Sequence, residues 1–147
     1  MVLRNIEING EIGTYVDVRD VFKLRTIAVV GASRDPSKWA HVDREDQVAM
    51  SIALSNAENL LEAVPGAEVA VVANGDAVLF FVKQAPASLR DRLSALAARG
   101  VKFYVCSNSL RAHGISRDEL LPLAEVVPAG IVKILELQEA GYRYVKP

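Results

Sequence analysis

The chain has 147 residues, 51% of them hydrophobic and 24% charged, with a formal net charge of −1. That length fits one domain with a genuine core, and that composition excludes a disordered chain. The near-neutral charge excludes a protein that holds nucleic acid by neutralising many phosphates, and it leaves no basic face for a membrane surface. No apolar run approaches the ~20 residues that a membrane-spanning helix needs. The opening MVLRNIEING lacks the apolar core and small-residue cleavage site of a signal peptide, so a cytoplasmic protein is expected. One cysteine cannot close an intrachain disulfide, and one cysteine with two distant histidines does not build a zinc site. Neither a metal nor a cofactor is expected.

In chain order, Ile6, Ile8, Asn9-Gly10, Ile12 and Val16 predict a small N-terminal β-hairpin, because Asn-Gly tolerates the positive φ of a tight turn. Asp17 to Arg25 reads as a charged connector. Thr26 to Val30 is a continuous apolar run, as expected of a parallel strand covered on both faces. Arg34 to Val42 is a loop.

Asp43 to Ala63 predicts a long helix. Met50, Leu54, Ala57, Leu61 and Val64 form one stripe, while Val48 and Ile52 fall on the opposite side. Such a second apolar face implies deep burial or contact with another subunit.

Glu68 to Ala73 predicts a second strand and Ala77 to Val82 a short helix. Ser88 to Arg99 predicts a helix opened by a Ser88/Asp91 capping box and stopped by Gly100. Val101 to Val105 is a third strand, ending at Cys106. Ser107 to His113 is a helical turn and Asp118 to Ala124 another short helix. Glu125 to Val127 is a fourth strand, Ile131 to Ala140 the last helix, and Tyr142 to Val145 a fifth strand. Alternating strands and helices give an α/β fold: a mainly parallel five-stranded sheet with helices on both faces, plus the hairpin.

Ligands of such sheets bind beyond the carboxyl ends of the strands. Here those ends are Gly31 to Arg34, Asn74 to Asp76, Cys106 to Ser109, and Pro128 to Gly130. Cys106 stands at a strand-to-helix step, where the N–H groups of Ser107, Asn108 and Ser109 favour a thiolate and Arg111 adds positive charge. The opposing reading is a packed, inert thiol, common for free cysteine. His41 and His113 are the histidines available to approach the sulfur, although an exposed loop histidine is the commoner case. Asn56 borders the stripe of the long helix, facing either the cleft or water. Trp39 either closes over the site or anchors its loop.

IAVVGASRDPSKW resembles the opening of CoA-binding Rossmann domains, without the glycine spacing of a dinucleotide fingerprint or a P-loop. A longer resemblance runs through LSNAENLLEAVPGAEVAVVANG, LAARGVKFYVCSNSLRAHGI and ELLPLAEVVPAGIVKILELQEAGYRYVKP. These segments resemble the DsrE/DsrF-like family, most tellingly in C-x-N-[ST]-L and in VVPAG-[IV] before L-Q-x-x-G-[YW]. With the TIAVV strand, the resemblance covers about Thr26 to Pro147.

It implies a three-layer α/β/α domain over residues 1–147, with 1–25 as an extension to the core at 26–147. It also implies a homo-oligomer, a trimer or hexamer. Family members relay sulfur as a persulfide on a cysteine, a role only Cys106 can fill here. The expected site is therefore Cys106 as nucleophile, with Asn56, Asn74, Gly75, Ser107, Asn108, Ser109, Pro128 and Gly130 binding its partners. Sulfur-donor and sulfur-acceptor proteins are the expected partners. The alternatives are a non-catalytic module for an anion, nucleotide or CoA-like ligand, and an oligomeric scaffold.

Overall fold

The computed structural model describes residues 3–8, 11–16, 25–30 and 44–147, with side chains from residue 47 onward. Strands Leu3–Ile8 (β1) and Glu11–Val16 (β2) pair antiparallel, Leu3 opposite Val16 and Ile8 opposite Glu11. The Asn9-Gly10 step, the connector from Asp17 to Leu24 and the loop from Arg34 to Val42 lie outside the described residues.

Arg25–Val30 (β3) starts the main sheet, followed by helix α1, Arg44–Ala63, and strand β4, Val69–Ala73. A 3-10 helix, Gly75–Phe81, leads to α2, Ala87–Ala98. Strand β5, Lys102–Cys106, runs directly into α3, Ser107–Ala112. A 3-10 turn at Arg117–Glu119 precedes β6, Ala124–Val127. Helix α4, Gly130–Glu139, and strand β7, Tyr142–Val145, complete the order.

The sheet runs β6-β5-β4-β3-β7, and every neighbouring pair is parallel. The chain therefore steps outward from β3 to β6 and then returns to lay β7 on the other side of β3. Parallel neighbours put all the strand-to-helix steps at one end of the sheet, which is where a site is expected.

Two-residue alternation along the strands separates two cores. On one face Val69, Val71, Ala73, Phe103 and Val105 pack with Met50, Leu54 and Ala57 of α1, Phe81 of the 3-10 helix, and Leu93 and Leu96 of α2. Phe81 and Phe103 lie at the centre, with ring centroids 5.6 Å apart and planes tilted by 52°. On the other face Ala70, Val72 and Tyr104 pack with Ile134 and Leu137 of α4 and with Tyr142.

The two apolar faces of α1 differ sharply. Met50, Leu54 and Ala57 are buried, as is Val64 just beyond the helix, while Val48 and Ile52 are 50% and 43% exposed. Helix α4 likewise exposes Ile131, Val132 and Leu135. Among the described residues no helix is long and apolar enough to cross a membrane.

Two local expectations fail for identifiable reasons. Helix α2 is not opened by Ser88 and Asp91: Pro86 is its N-cap, and the Pro86 carbonyl accepts the N–H groups of Leu89 and Arg90. The helix expected from Asp118 to Ala124 does not form beyond Glu119. The Leu121 N–H bonds to the Phe81 carbonyl, and Leu120 bridges Val82, so this backbone is committed to the 3-10 segment. Pro122 then lacks the N–H that a helix would use. Reciprocal capping occurs instead at Ser116, whose N–H and hydroxyl both donate to Glu119 at 2.8 and 2.9 Å. These bonds hold the Glu119 carboxyl below its ordinary range.

Candidate functional site at the end of strand β5

Cys106 is the last residue of β5 and the N-cap of α3, with φ −70° and ψ 119°. Serine or aspartate oxygens usually fill such a position by accepting from the second and third N–H groups of the helix. Cys106 makes no ordinary side-chain cap bond there. Its larger sulfur sits among donors drawn from two elements: the Ser109 hydroxyl and the N–H groups of Ser109, Gly130 and Asn108. Burial pushes the thiol up, but these hydrogen bonds outweigh it and hold the thiol below its ordinary value. Cys106 is only 4% exposed.

The donors are fixed by their own neighbours. Gly75 turns the chain from β4 into the 3-10 helix at φ +58°, a conformation open to glycine without strain. Its N–H donates to Ser109 Oγ at 2.8 Å. With that oxygen occupied as an acceptor, the Ser109 hydrogen remains to face sulfur. Gly130 opens α4 against Asn74: a Cβ at Gly130 would lie 2.5 Å from Asn74 Oδ1. The absence of a side chain therefore lets the α4 N–H and the Asn74 amide share one corner of the site. Arg111 Nη2 donates to Asn108 Oδ1, a pair exposed at the rim.

A second pair lies one turn further on, at the C-cap of α3. His113 Nε2 is 3.0 Å from Asp76 Oδ1, and both side chains are largely buried, at 14% and 18% exposure. Sequence reasoning singled out His113 but missed Asp76 as its partner. The available signal was positional: Asp76 follows the β4 end, and His113 stands four residues after Ser109.

The structure thus gathers Cys106, Asn108, Ser109, Asn74, Gly75 and Gly130 at one strand end. Ser107 is half-buried there but is not among the donors to sulfur. Pro128 is exposed on the approach to α4. Asn56 does not join the cluster. It is exposed, and it lies ~18 Å along α1 from the helix start at 1.5 Å per residue, well down from the strand ends. The Gly31 to Arg34 segment, Trp39 and His41 lie outside the described residues, as does most of the stretch resembling a CoA-binding opening. Among the described residues no cluster of three His, Cys, Asp or Glu side chains is arranged to hold a metal.

The model of the DsrE/DsrF-like family matches residues 38–147, more than half of the chain. No curated protein matches. Several solved structures are similar, two of them as follows. One is the protein of unknown function MTH1491 from Methanobacterium thermoautotrophicum, at 27% identity and a TM-score of 0.70, covering 84% of this chain and 99% of that one. The other is the ychN protein from E. coli, at 19% identity and a TM-score of 0.65, covering 84% of this chain and all of that one; at this identity the likeness is one of fold. The chain belongs to the DsrE/DsrF-like family.

Proposed function

We propose that this chain is a single DsrE-like domain, with residues 1–25 as an extension to its core, and that it acts as a cytoplasmic sulfur carrier holding a persulfide on Cys106. The observation that carries the reading is the convergence of one hydroxyl and three N–H groups, from α3 and α4, on the sulfur of the chain's one cysteine. Such donors favour the thiolate, which is the nucleophilic form.

The Cys106 thiolate attacks the outer sulfur of a donor persulfide. The donor S–S bond breaks, the donor leaves as a thiolate, and Cys106 now carries the sulfane sulfur. An acceptor thiolate then attacks that outer sulfur and regenerates the Cys106 thiolate. Each step breaks one bond to sulfur and forms another, so no external oxidant or reductant is needed. The persulfide anion is held by the same donors. Asn74, with its amide at the Gly130 corner, and Asn108, at the rim, orient the incoming group, and Ser107 and Pro128 border its approach.

The exposed apolar residues of α1 and α4 support a homo-oligomer as the working form, a trimer or hexamer. Light scattering tests this, and a monomer at working concentration refutes it.

The carrier reading is tested by intact mass after incubation with a persulfide donor. The expected result is a reducible gain of one sulfur on the parent and none on Cys106→Ser. Equal loading of both proteins overturns the reading. Absence of loading on the parent, with alkylation only after unfolding, makes Cys106 a core residue. The same cleft then becomes a candidate for a non-catalytic anion or nucleotide module.

A further inference from the structure

The 3-10 helix and α3 are joined twice, side by side. The Gly75 N–H donates to Ser109 Oγ at 2.8 Å, and Asp76 Oδ1 meets His113 Nε2 at 3.0 Å. Gly75 and Asp76 are consecutive. His113, the C-cap of α3, stands one turn after Ser109, linked by the bond from the His113 N–H to the Ser109 carbonyl at 3.1 Å. The two contacts therefore bridge the same pair of elements one turn apart. Ser109 Oγ accepts from Gly75 and its hydroxyl is among the groups that hold the Cys106 thiol down, so the spacing of the two elements bears on its rotamer.

We propose that Asp76 and His113 form a positioning pair that keeps the Ser109 hydroxyl directed at the Cys106 sulfur. Neither residue acts on the substrate; both act through Gly75 and Ser109. The inference rests on the reading of Cys106 as a reactive thiol and extends it to how that reactivity is set.

Among the described residues, the charged groups on the surrounding elements are placed as follows. On α3, Arg111 is exposed and bonded to Asn108. On β5, Lys102 is exposed at the opposite end of the strand. On α4, Lys133 reaches Glu136 and stacks 4.6 Å from the Tyr104 ring. Arg117, Asp118 and Glu119 of the following turn are exposed.

A direct electrostatic role makes the opposite prediction for one variant. Removing a carboxylate near a thiolate relieves repulsion and lowers the thiol midpoint, whereas losing a positioning contact raises it.

The test is a pH titration of the full chain followed by thiolate ultraviolet absorbance, which does not require Cys106 to be accessible. Ser109→Ala should raise the midpoint. Asp76→Ala and His113→Ala should each raise it by roughly half a unit or more, part of what one hydrogen bond to a charged group supplies. His113→Gln, whose amide can donate to Asp76, should return towards the parent. In a Ser109→Ala background neither alanine variant should add anything.

A parent-like or lowered midpoint in both alanine variants overturns the proposal, as does full additivity with Ser109→Ala. If Asp76→Ala does not fold by circular dichroism, His113→Ala and His113→Gln decide the question. The bare thiol is titrated, so the result stands whether or not the protein loads sulfur; the mass experiment tests that separately.

Discussion

The two faces of the sheet are built differently. One is covered by α1, α2 and the 3-10 helix and buries Phe81, Phe103, Met50, Leu54, Leu93 and Leu96. Among the described residues the other is covered by α4 and buries a smaller set around Tyr104, Ile134 and Tyr142. Residues Tyr104 and Cys106 are two apart on β5, so the sulfur points towards the lightly covered side, where Gly130 opens α4. Among the described residues, most of the apolar burial thus lies across the sheet from the candidate chemistry. A lightly packed face is free to place small residues and backbone N–H groups near a thiol, since the opposite face holds the fold.

This division predicts that the largest stability losses come from the heavy face and leave the thiol unmoved in what remains folded. Phe103→Ala removes a ring 1% exposed and in contact with Phe81. It should cost about 3–5 kcal/mol, read from urea unfolding. A loss below ~1 kcal/mol, less than a typical single mutation costs, would mean that the heavy face does not dominate stability.

On the other side, Gly130→Ala should do less to stability and more to the sulfur. The new Cβ meets the Asn74 amide at 2.5–2.8 Å, so Asn74 must swing or α4 must shift. Overpacking of this kind costs roughly 1–3 kcal/mol, with the low end expected because the obstacle is a movable side chain. Displacing the Gly130 N–H should also raise the Cys106 midpoint. A double-mutant cycle with Asn74→Ala checks the cause. If Asn74→Ala fails to relieve the defect, the clash lies elsewhere and the shared corner is wrong.

The same contrast explains what could be read from sequence. Period-two and period-3.6 patterning revealed the α/β alternation and the buried stripe of α1, because heavy burial is written in large apolar residues. Cys106 at a strand end was legible for a related reason: small polar residues after an apolar strand mark the ligand end of a parallel sheet. The donors around the sulfur were only half legible. Asn108 and Ser109 follow Cys106 directly, but Gly130 reaches it from a different helix, and no local pattern brings the two together. The Asp76–His113 pair was missed for the same reason, its members standing 37 positions apart, with only their places after two strand ends to suggest it. Asn56 stayed ambiguous in the sequence because a polar residue bordering a helical stripe looks alike whether it faces a cleft or water; the structure leaves it exposed. The Asp118 to Ala124 segment misled because its backbone partners lie in the 3-10 helix.

The smallest expected effect is a pH dependence of stability. Because its hydrogen bonds hold the folded thiol below the ordinary value of 9.0, the folded state binds the thiolate form preferentially. The contribution is fully present above 9.0 and is lost as pH falls through the lowered folded value. Compared with Cys106→Ser, which does not titrate in this range, the parent should gain thermal stability as pH rises from neutral towards 9.0. The gain should stop there, because the unfolded chain then ionises too. Parallel melting curves for the two proteins across this window would mean that the donors favour thiol and thiolate equally. The convergence at the end of β5 would then be packing, and the light face of the sheet would differ from the heavy one only in how much it buries.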